Sequence, residues 1–150
     1  GEEKSYNAND IIFSYRSSTF PKDEILISAN FKLKKSNNYE ISTKKSKANL
    51  GRKSTQPLNF KSAGSVFKND KDHSAGKLLD DLGLKGFRIG DAKISEKHAN
   101  FFINDGDASS SDMLMLIKKA HQKVKERFNV NLSLEVKLMG FKEDEIEGLC

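Results

Sequence analysis

Hydrophobic and polar positions along this chain repeat with two different periods. Over residues 24–34, Ile25, Ile27, Ala29, Phe31 and Leu33 alternate with Leu26, Ser28, Asn30, Lys32 and Lys34, and a period of two predicts a strand. Residues 132–138 repeat the pattern. Leu132, Leu134, Val136 and Leu138 fall on one face, and Ser133, Glu135 and Lys137 on the other, which predicts a second clear strand. Between them, Met113, Ile117, Ala120, Val124 and Phe128 recur at helical spacing. Ser109 and Asp112 supply a capping pattern before that helix, and Asn129 is a plausible left-handed stop after it.

Weaker signals fill the rest. Residues 38–52 are polar and lysine-rich, a surface helix ending near Gly51. Pro57 starts an irregular stretch, and residues 62–65 read as a small-residue loop before Val66 and Phe67. Ser74 opens a short helix with Leu78, Leu79 and Leu82 on one side and Gly83 at its end. Residues 86–94 carry two glycines and short β-like pieces, and residues 100–104 read as a buried strand around Phe101, Phe102 and Ile103. The elements make an α+β layout with strands covered on one face by helices, and no internal repeats.

Length and charge narrow this. One hundred and fifty residues make one ordinary domain, or one domain and part of another. No apolar run reaches the ~20 residues that span a bilayer, and the opening GEEKSYNAND is too polar for a secretory signal. The single Cys150 excludes an internal disulfide framework and a multi-cysteine zinc site, so a cytoplasmic setting is expected. Gly1 in place of Met suggests a processed or truncated product. Net charge is +5, but residues 32–77 hold 12 Lys/Arg against 3 Asp/Glu. So basic a block favours an anionic partner, either nucleic acid or a phosphorylated small molecule; a solvated lysine-rich face is the plain alternative.

Three features could carry chemistry. The loop at residues 62–65 lets backbone and a serine hydroxyl, of Ser62 or Ser65, approach a ligand closely, though an ordinary turn has the same composition. Glu135 stands mid-strand opposite four aliphatic residues, facing either solvent or a cleft. Arg16, beside Tyr15, offers a fixed donor fork for a carboxylate or phosphate. His98 lacks a second ligand at metal spacing, and no metal site is expected.

Read together, the motifs resemble one family in order. They are Phe13-Ser14-Tyr15-Arg16-Ser17-Ser18, then Gln56-Pro57-Leu58, then Ser62-Ala63-Gly64-Ser65-Val66-Phe67-Lys68-Asn69. Ala75-Gly76-Lys77-Leu78 follows, then Gly83-Leu84-Lys85-Gly86-Phe87-Arg88-Ile89-Gly90, Ser95-Glu96-Lys97-His98-Ala99-Asn100-Phe101 and Leu134-Glu135-Val136-Lys137-Leu138-Met139-Gly140. The chain is similar to the second half of the UDP-N-acetylenolpyruvoylglucosamine reductase (MurB) family, in its shorter, type II branch. The resemblance implies the end of an FAD-binding domain over residues 1–55 and an α+β substrate-binding domain over residues 56–150.

It also implies a reaction: NADPH reduces FAD, and hydride then passes to UDP-N-acetylglucosamine enolpyruvate to give UDP-N-acetylmuramate for peptidoglycan. On this resemblance Ser65 protonates the substrate carbon, Glu135 assists it, and Arg16 holds the enolpyruvyl carboxylate. Tyr15 accompanies Arg16, and Arg52, Gln56 and Asn69 contact the sugar nucleotide or the flavin side of the cleft. Family members often carry Gly at Ser14, Asp at Ser17, and Pro at Lys61 and Asp70. The glycine-rich segments that hold the FAD pyrophosphate belong to the family's N-terminal half, so FAD is not expected to stay on this chain alone, and the missing half is an expected partner. No membrane or nucleic-acid partner is expected. Two other readings remain: a non-catalytic UDP-sugar-binding remnant, and a small basic nucleic-acid-binding protein.

Overall fold

The computed structural model describes residues 1–149; Cys150 lies outside the described residues. The chain divides into two compact units, Gly1–Asn37 and Asn38–Cys150.

The first unit is built around a short 3-10 turn at Ala8–Asp10 and a hairpin of β1 (Phe13–Ser14) and β2 (Ser17–Ser18). The turn is closed by Asp10, whose carboxylate accepts the Asn7 N–H at 2.7 Å. Glu24 gathers the surrounding loops: Lys4 Nζ lies 2.6 Å from its carboxylate and the Tyr6 hydroxyl 2.9 Å. The strand expected over residues 24–34 does not form. Residues 25–34 have no regular structure, and Ile25, Ile27, Phe31 and Leu33 are exposed. An alternating pattern becomes a strand only where a neighbouring edge accepts its N–H and C=O groups. Among the described residues, 25–34 pair with no strand.

The second unit opens with α1 (Asn38–Thr55), which buries no residue. It runs past Gly51, where the sequence suggested an end, because Gly51 stays helical and the Gly51 carbonyl accepts both the Ser54 and Thr55 hydroxyls. Then come β3 (Lys61–Ser65), α2 (Ala75–Asp81), β4 (Arg88–Ile89), β5 (Ala92–Ile94), β6 (Phe101–Asn104), α3 (Ser110–Phe128) and a short α4 (Glu143–Ile146). The four strands form one antiparallel sheet in the order β3-β6-β5-β4.

One sheet face is the core face. Ile94 pairs with Phe102 and Ala92 with Asn104, and α3 packs on β4 and β5. Leu116, Ile117, Ala120 and Val124 of α3 are buried there with Phe67, Leu79 and Phe102. Helix α3 forms as its sequence demands. The Ser109 side chain accepts from the Asp112 N–H, Asp112 bonds back to the Ser109 N–H, and Asn129 ends the helix at φ 54°. Helix α2 has the expected Ser74 cap, and Gly83 follows its end at φ 64°.

Two further expectations are corrected. Residues 62–65 belong to an edge strand, not a loop. Residues 132–138 do not make a strand: a single bridge joins Leu134 to Phe67, and the chain bends at Glu135 and Val136. Both the Glu135 N–H, at 2.8 Å, and the Val136 N–H, at 3.4 Å, point to the Val66 carbonyl, so the ladder cannot advance. The aliphatic residues are still used, with Leu132 buried and Leu134, Val136 and Leu138 packed against the core.

Candidate functional site

Ser65 ends β3 at a point where the strand carries one extra residue. Ser62 pairs with Ile103 and Ser65 with Phe101, so three steps on β3 match two on β6. In a regular strand, residues three apart face opposite ways; the bulge returns Ser65 to the face of Ser62, Phe101 and Ile103, opposite the core. Gly64, at φ +88°, makes the bulge possible.

The chain beyond Ser65 is fixed by Asn100, which sequence reasoning passed over. Its backbone carbonyl accepts from the Val66 N–H at 2.9 Å. Its side chain accepts from the Phe67 N–H at 2.9 Å and donates to the Phe67 carbonyl at 2.8 Å. Asn100 is 3% exposed, so both bonds are made out of water, where an unmade one is costly. A polar residue directly before the apolar run 101–103 was the available signal.

Glu135 meets this structure from the other side. Its N–H donates to the Val66 carbonyl at 2.8 Å, and the Lys68 N–H donates to the Ser133 carbonyl at 2.8 Å. The segments bearing Ser65 and Glu135 are thus joined one residue from Ser65. Of the two surroundings open to Glu135, solvent or a cleft, it has neither fully: it is half-buried, with Oε2 buried. A half-buried hydroxyl and a part-desolvated carboxyl on neighbouring segments can together supply or relay a proton.

Arg52 and Gln56 lie side by side at the end of α1. Gln56 donates its N–H to the Arg52 carbonyl at 2.9 Å, and the Arg52 Nε is 3.5 Å from Gln56 Oε1. Gln56 lines a cleft of about 420 Å³ with Phe60, Lys53, Lys93, Lys97 and Ile103. Lys97 Nζ donates to the Lys53 carbonyl at 2.7 Å, tying α1 to the sheet, and Lys93 is 3.5 Å from Glu96. Lys93 pairs across the sheet with Ile103, so this basic cleft shares the face of Ser65. The amphipathic pattern gave no sign of Lys93 and Lys97.

Asn69 stands elsewhere: its Oδ1 accepts the Ala75 N–H at 3.0 Å and closes the loop leading into α2. Next to it, Asp70 accepts from the Asp72 and His73 N–H groups, which hold its carboxyl below the usual range. Tyr15 and Arg16 form the two-residue tip of the β1–β2 hairpin in the first unit. Arg16 has φ 59°, a strained value for a non-glycine residue, and its guanidinium lies 5.6 Å from the Tyr15 ring centre. His98 is structural. Its Nδ1 accepts the Asn100 N–H at 3.2 Å, and its ring lies 4.9 Å from that of Phe101. Burial, and then the charge of Lys85, push its pKa down. Among the described residues, no three potential metal ligands cluster, and no helix is long and apolar enough to cross a membrane.

Comparisons with known proteins agree in direction. The sequence model of "UDP-N-acetylenolpyruvoylglucosamine reductase, C-terminal domain" matches residues 56–139. A UDP-N-acetylenolpyruvoylglucosamine reductase of Lachnoclostridium phytofermentans is 46% identical over 143 residues, 95% of this chain and 46% of that protein. One of Caldanaerobacter subterraneus is 47% identical over 131 residues, 87% of this chain and 43% of that protein. The crystal structure of the Thermus caldophilus reductase (MurB) superposes with TM-score 0.73 at 39% identity, over 88% of this chain and 47% of that one. The chain spans about half the length of the curated relatives it matches.

Proposed function

Since this chain belongs to the UDP-N-acetylenolpyruvoylglucosamine reductase family, by its C-terminal domain, we propose that it is the substrate half of a cytoplasmic oxidoreductase converting UDP-N-acetylglucosamine enolpyruvate to UDP-N-acetylmuramate. On this reading residues 56–150 are the substrate-binding domain and residues 1–55 the end of the FAD-binding domain.

The family uses FAD and NADPH, but the described residues do not fit a flavin pyrophosphate. Of the two long helices, α3 has its N-terminus filled by the Asp112 carboxylate, and α1 begins without a glycine turn. The flavin pyrophosphate is therefore assigned to none of the described residues. What this chain contributes is on the substrate side. Hydride addition to an enolpyruvyl double bond builds negative charge beside a carboxylate. Arg16 holds and stabilises that charge, and the Ser65 hydroxyl delivers a proton to the carbon, with Glu135 orienting or reprotonating the hydroxyl. Tyr15 supports Arg16 at the hairpin tip. The diphosphate and uridine meet the basic cleft, with Arg52 and Gln56 at its rim and Asn69 beyond.

The observation that supports this reading is the bond from the Glu135 N–H to the Val66 carbonyl, which joins the segment of Glu135 to the residue after Ser65. Calorimetry of the chain with UDP tests it. Binding should occur, weaken as salt rises, and fall several-fold in Arg52→Ala, as expected for charge-assisted contacts. Absence of UDP binding, or steeply salt-dependent binding of DNA in its place, would overturn the assignment in favour of a nucleic-acid-binding protein. UDP binding that never supports turnover when an N-terminal half is supplied would leave the remnant reading.

A further inference from the structure

A second cleft, of about 330 Å³, lies between His121 of α3, residues 131–138 and residues 146–149. Its walls are mostly aliphatic, and one titratable side chain enters it. His121, on α3, is 7% exposed. It lines the cleft together with Leu132, and its ring lies 6.4 Å from the Phe67 ring at an angle of 33°. These two neighbours are not arbitrary. Phe67 is two residues past Ser65 and forms the bridge to Leu134, which directly precedes Glu135. Leu132 begins the segment that ends in that bridge.

We propose that His121 is a positioning residue for Ser65 and Glu135, packing its ring against Phe67 and filling the cleft beside Leu132 so that Val66 and Glu135 stay joined. The inference rests on the roles given above to Ser65 and Glu135 only for its consequence in catalysis; its test reads the joint itself.

The same geometry makes the joint sensitive to acid. A charged imidazole in this aliphatic cleft would lose its hydration, and burial is the main cause holding the His121 pKa below its usual value, followed by the charge of Lys125 on the same helix. Asn131, Leu132, Ser133, Leu134, Val136, Leu138, Ile146 and Leu149, which face the cleft from the other elements, carry no charge to offset it. A released ring titrates at the ordinary value of 6.5 and a docked ring below it. The docked state is therefore fully favoured above pH 6.5. It loses ground as pH falls from 6.5 towards the docked value, by up to ~tenfold per unit.

Amide hydrogen exchange on the 150-residue chain, corrected for intrinsic pH effects, tests this. From pH 7.5 to 5.5, protection of the Glu135 and Lys68 amides should drop by up to ~tenfold, while the Ile94 amide in the central sheet holds. His121→Phe keeps a ring against Phe67 but cannot titrate. It should hold the protection at Glu135 at pH 7.5 and lose the pH dependence. His121→Ala, which removes the ring, should show lower protection, again without pH dependence. A uniform loss across the sheet, or a pH response that survives in His121→Phe, would overturn the proposal. If the variants do not fold, NMR of the unmodified chain decides: the His121 ring and the Glu135 amide must titrate with one midpoint, and separate midpoints refute the coupling.

Discussion

At the scale of single residues, two glycines illustrate how different demands select the same residue. Gly64 sits at φ +88° with no atom within 4 Å of an added Cβ. Its replacement by alanine should cost about 1 kcal/mol through backbone strain alone, measurable by urea unfolding. Gly76 has ordinary backbone, but a Cβ there would lie 3.0 Å from His98 Cε1. Gly76→Ala should therefore act through displacement of His98, seen as a shifted His98 titration rather than as strain. Ser65→Ala removes one oxygen from an edge strand and should leave the fold intact. With an N-terminal half supplied, it should leave flavin reduction by NADPH nearly unchanged and slow reoxidation by the enolpyruvyl substrate at least ~10²-fold, the usual loss for a positioned general acid. Stopped-flow traces in which the reduction half slows would show the role of Ser65 to be wrong.

At the scale of elements, α3 is the part most fully written into its own sequence. Ser109→Ala should destabilise the chain by about 1 kcal/mol in denaturant melts, because the cap satisfies a backbone donor that nothing else replaces. Asp112 adds a pH dependence. Bonds from the Ser109 N–H, then from its hydroxyl, hold the Asp112 carboxyl below its ordinary value of 3.8. Its contribution is complete above that value and is lost as pH falls through the lower, folded one. Acid unfolding of Asp112→Asn should lack that component. The short α2 and the β4–β5 hairpin follow the same local logic of caps and glycine turns.

At the scale of the molecule, residues 25–34 have no regular structure, and the chain spans about half the length of the curated relatives it matches. Amides 25–34 should exchange like an unstructured peptide in the chain alone and gain protection when an N-terminal half is added. The purified chain should elute from gel filtration without near-stoichiometric flavin; a visible flavin spectrum at one equivalent would contradict this. By itself the sequence determined the elements whose signals are local: α3 with its caps, α2, the β6 strand and the family's motifs in order. It also supplied the aliphatic positions at 132–138 and at 25–34, but could not say what would pair with them. Only the tertiary structure decided that residues 62–65 form a bulged edge strand, that residues 132–138 make one bridge and a bend, and that the Asn100 side chain bonds the Phe67 backbone. Helix caps act within a few residues, whereas strand pairing, and the burial of a polar side chain against its partners, depend on segments that the sequence alone leaves far apart.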